Sequence, residues 1–451
     1  MKSDFICHRK HLFRDSIYQI EIQNDKLMLL NTQGIVKYSL SLNWSVEIQW
    51  KISSTDPAFG FQINQKFKWF YAKPKTIEIL RCTLKKHITS SDFQIFYNIG
   101  SYISKGQNSY CYELFQNGDD KMKYVVKLIK KEQIGQINQL YNELNILKIL
   151  NHPGLPKFIE FFNTNNTYYI VMEKIEGSKL SKLNSTKYQQ LSLIQIQQII
   201  FECMNILQYL VQIQVIHRNI QPDNIIYDSK VQTTSVKLID FAKAIKVGTD
   251  LKLLGTPGFI APEILKDKQI STDSDMFSLG CVFYKLLVKQ DLFQGINLEE
   301  TLKENKKCLF NLKNLQLIRI PQSAQHLLTL MLEIDPKQRI KPQEAINHPF
   351  FKESMDQSVS PKIISRNLSL SKSIRNLEGI MISPKQNQMN ELDKQILVDY
   401  FQNELPPMNE IPIMKQVKGG CRFSLNNSSD TDTIRKSKSE KNIKIISLSQ
   451  N

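Results

Sequence analysis

Along the first 72 residues apolar and polar positions alternate. Tyr18-Gln19-Ile20-Glu21-Ile22 and Ser45-Val46-Glu47-Ile48-Gln49-Trp50 place every second side chain on one apolar face, the period of a half-buried strand. After Phe67-Lys68-Trp69-Phe70-Tyr71-Ala72 the period lengthens. Ile77, Leu80, Leu84 and Ile88 recur at steps of three or four, which predicts one amphipathic helix reaching Lys85-Lys86-His87. The tryptophans Trp44, Trp50 and Trp69 all fall in this region. The first expected domain therefore covers about residues 5–90. It is a small β-sandwich or barrel followed by one helix. From about residue 94 strand and helix patterns mix, as in an α+β domain. The apolar run over 199–216 carries Glu202, Asn205, Gln208 and Gln212, which predicts a core helix and not a membrane span. Beyond Phe351 the pattern dissolves into Ser, Lys, Asn and Gln, so a basic, largely disordered tail over 352–451 is expected. Within it, residues 389–405 place Leu392, Ile396, Leu397, Tyr400 and Phe401 on one face of a helix.

A length of 451 residues argues for more than one core. The opening Met1-Lys2-Ser3-Asp4 has no apolar targeting segment, and no stretch offers the roughly 20 apolar residues of a membrane span. A cytoplasmic location is expected, with peripheral membrane contact left open. Cysteines at 7, 82, 111, 203, 281, 308 and 421 form no CxxC pair, so neither a disulfide framework nor a zinc site is suggested. The net charge of +16 is spread along the chain. That distribution reads as a solvated basic surface, and no nucleic-acid partner is expected.

The candidate chemistry lies between residues 94 and 351. Lys127 ends the β-branched strand Tyr124-Val125-Val126-Lys127, and Glu143 follows sixteen positions later on a helix whose Leu144, Leu147 and Leu150 face a core. That spacing allows an ion pair, or leaves an exposed helix glutamate. Further on come His217-Arg218-Asn219-Ile220-Gln221-Pro222-Asp223-Asn224, Asp240-Phe241-Ala242 sixteen residues after Asn224, and Gly255-Thr256-Pro257-Gly258-Phe259-Ile260-Ala261-Pro262-Glu263. Asp275 in Asp275-Met276-Phe277-Ser278-Leu279-Gly280 and Arg339 in Asp335-Pro336-x-x-Arg339 complete the set.

In this order and spacing the motifs resemble the eukaryotic protein kinase family, serine/threonine type. The resemblance implies a bilobal fold with a β-rich N-lobe and a helical C-lobe, binding ATP and magnesium and acting on or docking a protein. Carried over residue by residue, Lys127 and Glu143 form the phosphate-binding ion pair, and Asn224 and Asp240 are the magnesium ligands. Ser104, Gly106 and Cys111 fall in the phosphate-covering loop, and Val125, Met172, Glu173, Ile175 and Ile226 around the adenine. Leu147, Phe158, His217 and Phe241 would stack as a column anchored on Asp275. Glu263 pairs with Arg339. The Ala345–Phe351 end looks like that of calcium/calmodulin-dependent kinase domains. The 5–90 region resembles a pleckstrin homology domain, with Lys10 and Arg14 as candidate contacts to anionic lipid, against a structural or protein-docking role.

Several positions depart from the family pattern. Asn219 stands where a carboxylate orients the accepting hydroxyl and takes its proton, and Gln221 stands where a lysine supplies charge. Loss of the base alone removes roughly 10²- to 10⁴-fold of rate. In Ser104-Lys105-Gly106-Gln107-Asn108-Ser109 one glycine remains where the family has three, which weakens the phosphate grip. Ser104 lies 23 residues before Lys127, which favours this register over one starting at Gly100. Ala242 replaces a glycine, and Lys252 occupies a position that relatives phosphorylate, with Thr249 a distant substitute. The expectation is a pseudokinase that retains magnesium-ATP binding and serves as a signalling scaffold or regulator, the alternative a slow serine/threonine kinase.

Overall fold

The computed structural model describes residues 5–106, 108–135, 137–183, 191–231, 235–249, 255–267, 269–310 and 320–352. All of them belong to one unit spanning Met1–Glu404. Lys252, the helix expected over 389–405 and the rest of the expected tail beyond Lys352 lie outside the described residues.

Seven strands come first: β1 (Ile6–Arg9), β2 (Ser16–Gln23), β3 (Lys26–Leu30), β4 (Val36–Ser41), β5 (Glu47–Lys51), β6 (Ala58–Ile63) and β7 (Lys66–Ala72). Their hydrogen-bonded order is β4-β3-β2-β1-β7-β6-β5, antiparallel throughout. The alternation read from the sequence is the burial pattern found. In β5 Ile48 and Trp50 are buried, and in β2 Tyr18 and Ile20. The inner faces converge on a core rich in aromatic rings, with Phe59, Phe61 and Phe70 stacked on one another. Helix α1 (Pro74–Leu84) starts with proline at its first turn, where no N–H is needed. It lays Ile77, Leu80 and Leu84 on that core. Ile88 lies past the helix end, yet a turn closed by His87 N to Leu84 O at 2.7 Å accompanies its return to the same cluster.

The chain then enters a two-residue strand, β8 (Thr89–Ser90), and a short helix, α2 (Phe93–Phe96). Next come β9 (Tyr97–Lys105), β10 (Tyr110–Gln116), β11 (Asp119–Lys130), α3 (Ile137–Ile149), β12 (Phe158–Asn163) and β13 (Thr167–Glu173). Strand β8 pairs in parallel with β5 on one side and with β12 on the other. The two sheets thereby become one of thirteen strands, ending β5-β8-β12-β13-β11-β10-β9. Strand β8 thus links the two sheets through the backbone, while the seven N-terminal strands and α1 keep a hydrophobic core of their own.

A helical lobe follows: β14 (Ser178–Lys179), α4 (Leu180–Leu183), α5 (Leu193–Gln212), β15 (Val215–Ile216), β16 (Ile225–Tyr227), β17 (Val236–Leu238), β18 (Ile245–Lys246), α6 (Pro262–Asp267), α7 (Thr272–Val288), α8 (Leu298–Lys307), α9 (Gln322–Met331) and α10 (Pro342–Ala345). Helix α5 opens on a capping box between Ser192 and Gln195. The apolar run expected to be one helix over 199–216 is two elements. Gln214 takes φ of 56°, which breaks the helix, and Val215 and Ile216 form a strand with Lys246 and Ile245. Both pieces are buried, so apolarity alone did not separate them.

Candidate nucleotide and phosphotransfer site

Lys127 lies on β11, opposite Ile170 in the ladder to β13, and its ammonium meets Glu143 Oε1 of α3 at 2.7 Å and Asp240 Oδ1 at 3.5 Å. The glutamate is buried, so the bland reading of an exposed helix residue does not hold. Burial works against both charges of the pair. At Lys127 it is outweighed by Glu143 and Asp240, which hold the ammonium above its ordinary value. At Glu143 burial prevails over Lys127 and the carboxyl is pushed up. Asp240 is closely surrounded by protein atoms, yet its side chain is 41% exposed. Burial would raise its carboxyl, but Lys127 and the Ala242 N–H prevail and hold it below the ordinary carboxylate range. It therefore stays ionised.

Val125, Met172 and Glu173, expected around the adenine, lie on the paired strands β11 and β13. Val125 pairs with Met172 across β11 and β13, and Glu173 N donates to Lys157 O at 3.0 Å. Met172, Ile175 and Ile226 are half-buried, and Glu173 is exposed. Ile226 sits in β16 between the buried Ile225 and Tyr227. Gly177 holds φ of 115°, and a Cβ there would come within 2.7 Å of the Tyr227 carbonyl, so the turn after the connecting strand requires glycine. Over the cleft, β9 and β10 make a hairpin in which Cys111 faces Ser104 on one side and Lys127 on the other. Its turn is closed by Gly106 N to Ser109 O at 2.8 Å.

The segment over 217–224 is anchored by Asp275. His217 N and Arg218 N donate to the two carboxylate oxygens of Asp275 at 2.6 and 2.9 Å. The His217 ring sits edge-on to Phe241 at 4.7 Å, and Leu147 and Phe158 are buried in the same core cluster as Phe241. Burial lowers His217 to about 4, so it is neutral. Burial also raises Asp275 to about 6. Arg218 and Asp240 take φ of 62° and 68°, a strained region for non-glycine residues that the surrounding bonds impose. Asn224 spends its Nδ2 on the Asn219 carbonyl at 2.8 Å, leaving its Oδ1 as the metal-type donor. Asn224 Oδ1 and one ionised carboxylate are hard oxygen donors. They suit a magnesium ion that takes its remaining ligands from water and substrate phosphates.

Asn219 is buried, and its Oδ1 accepts the Thr256 hydroxyl at 2.7 Å. Gln221 is half-buried at the start of the turn that its own carbonyl closes with Asn224 N at 3.0 Å. Glu263 and Arg339 form a buried two-pronged pair at 2.8 and 2.9 Å.

Some positioning residues carried no sequence signal. Asn142 Nδ2 donates to Ala244 O at 2.8 Å and ties α3 to the segment after Asp240. Asn305 on α8, fully buried, accepts from Gly258 N and Ile260 N at 3.0 and 3.1 Å and donates to Ile260 O at 2.8 Å. A polar residue near a helix end looks the same whether it is solvated or braces a loop.

The family model of the protein kinase domain matches residues 97–351, more than half of the chain. The chain belongs to the protein kinase family. Calcium-dependent protein kinase 5 of Plasmodium falciparum is 30% identical over 252 residues, which cover 55% of this chain and 42% of that protein. Myosin light chain kinase A of Dictyostelium discoideum is 26% identical over 269 residues, covering 58% and 90%. Calcium/calmodulin-dependent protein kinase cmkA of Emericella nidulans is 27% identical over 248 residues, covering 53% and 60%. The chain spans less than half the length of the Plasmodium relatives it matches. The matched stretch of the kinase begins at Tyr97, after β8, so the seven-stranded region lies outside it.

Proposed function

We propose that this kinase domain binds magnesium-ATP and holds it with little or no phosphate transfer, serving as a nucleotide-dependent docking module for a protein partner. The observation that carries this reading is the contrast at the cleft. Lys127, Glu143 and Asp240 are assembled at 2.7 and 3.5 Å, while the base position holds an amide whose oxygen accepts from Thr256. An amide has no useful basicity at neutral pH, so a hydroxyl brought there keeps its proton. Gln221 adds no positive charge beside the transferring group. When bound, magnesium would offset charge on the phosphate oxygens, with Asn224 and Asp240 as its protein ligands. Lys127 remains a cation for the phosphates. The same residues also fit ATP use in slow transfer to serine or threonine, and one assay separates the two.

Transfer of label from radioactive ATP to a generic basic protein is measured for the full chain, Asp240→Ala, and Asn219→Asp with Gln221→Lys. The wild-type signal should equal that of Asp240→Ala, the double variant should exceed it by roughly 10²- to 10⁴-fold, and ATP with magnesium should raise the melting temperature. Wild-type transfer abolished by Asp240→Ala would overturn the inactive reading.

A second reading concerns the β1–β2 loop. Leu12 and Phe13 are 97% and 99% exposed, and they stand between Lys10, His11 and Arg14. Lys10 is paired with Asp56 at 2.7 Å, and Asp15 follows Arg14, so the two bare apolar side chains are what this loop would offer the surface of an anionic bilayer, which would bring the protein to a membrane periphery. Phosphatidylserine vesicles should pellet the chain, and Leu12→Ser with Phe13→Ser should abolish pelleting. Pelleting unchanged by the double variant rejects this role for the loop.

A further inference from the structure

Helix α3 carries Glu143, the partner of Lys127, and it is held from a second direction by a residue outside the matched kinase stretch. Trp44, in the loop before β5, donates its indole N–H to Asn145 Oδ1 at 2.8 Å. Its ring is buried in the kinase core, edge-on to Phe158 and Phe161 at 5.8 and 6.0 Å. Positions 143 and 145 lie about 200° apart around a helix of 3.6 residues per turn. Lys127 and Trp44 thus grip α3 on roughly opposite sides.

The grip is rigid at its base. The Trp44 carbonyl accepts the Thr89 hydroxyl at 2.6 Å, and Thr89 N donates to Val46 O at 2.9 Å. Strand β8 joins β5 to β12. On β12 the fully buried Glu160 accepts from Arg81 of α1, from Ser90 at 2.9 Å and from Tyr97 at 3.4 Å. Asn163 Nδ2 reaches Glu47 at 3.3 Å. The loop bearing Trp44 therefore cannot shift without disturbing buried polar bonds at the junction.

We infer that Trp44 is a positioning residue for the nucleotide site: through Asn145 it fixes α3 so that Glu143 stays on Lys127, and the N-terminal β region acts as a built-in clamp on that helix. The inference rests on the nucleotide-binding reading for its consequence, since the Lys127–Glu143 pair is what steadies the lysine for phosphate. It makes a claim about α3 that holds without nucleotide.

The full chain is compared with Asn145→Leu, Asn145→Asp, Trp44→Phe and Trp44→Ala. Amide hydrogen exchange across 137–149 is followed without nucleotide, and magnesium-ATP affinity is measured by titration calorimetry. Asn145→Leu, which leaves the buried Trp44 ring in place, and Trp44→Phe, which keeps an aromatic ring there, both lose the bond and should speed exchange in α3 and weaken ATP by up to about tenfold. Asn145→Asp keeps an acceptor and should restore both. Trp44→Ala should exceed the other variants in both readouts. If Asn145→Leu and Trp44→Phe leave α3 exchange at the wild-type level, or if Asn145→Asp fails to restore it, the clamp is refuted. If the wild type binds no magnesium-ATP while α3 exchange responds as stated, the nucleotide reading falls and the clamp stands.

Discussion

Glu160 is the residue that most depends on its neighbours. Its side chain has no exposed surface, and Arg81, 15% exposed and seated over the Phe96 ring at 3.7 Å, is the cation beside it. Burial pushes the Glu160 carboxyl up, and Arg81 works against that rise. Removing one partner of a buried pair strands the other charge, so Arg81→Leu should cost about 3–5 kcal/mol in urea unfolding. Arg81→Leu with Glu160→Leu should recover part of the loss; equal losses would mean that the charge is not what matters. This pair was invisible in the sequence, because a glutamate in Phe158-Ile159-Glu160-Phe161 reads as the outward-facing residue of a strand. The Lys127–Glu143 pair, by contrast, was legible, because a lysine ending a strand and a glutamate sixteen positions on in a core-facing helix leave few other ways to satisfy both charges.

At the scale of elements, α7 ends in an unusual way. Lys289, its C-terminal cap, takes φ of 63°, a region that costs an L-residue roughly 1–2 kcal/mol and costs glycine nothing. Its ammonium is buried without a hydrogen-bond partner among the described residues, and burial lowers it to about 8 from an ordinary 10.5. Lys289→Gly should therefore stabilise the protein by about 1 kcal/mol near pH 7, read from urea midpoints. Between pH 8 and 10.5 the unfolded chain holds more protons than the folded one, so the wild type gains stability as pH rises through this window. The advantage of the glycine variant should shrink across the same range, and an advantage independent of pH would contradict the assignment. Elements of uniform period, such as α1 and β2, were legible in the sequence. The break at Gln214 was not, because a left-handed residue inside an apolar run leaves no mark in periodicity.

Across the whole molecule, the lobes were legible from ordered motifs spread over the chain, while the way the N-terminal strands join them was not. The join depends on backbone hydrogen bonds of Thr89 and Ser90, and backbone bonding places few demands on side-chain identity. Trp44 illustrates the same blindness: grouped by sequence with Trp50 and Trp69, it belongs to the core of the kinase and not to that of the N-terminal strands.

Strand β8 also changes what the sheet offers to other chains. An unpaired strand edge is a template for intermolecular pairing. By lying between β5 and β12, Thr89 and Ser90 occupy part of an edge on each, and the continuous sheet terminates at β4 and β9. A truncation that starts the chain after Ser90 to obtain the kinase portion alone would bare the flank of β12 together with Phe158 and Phe161, exchanging an internal seam for a sticky border.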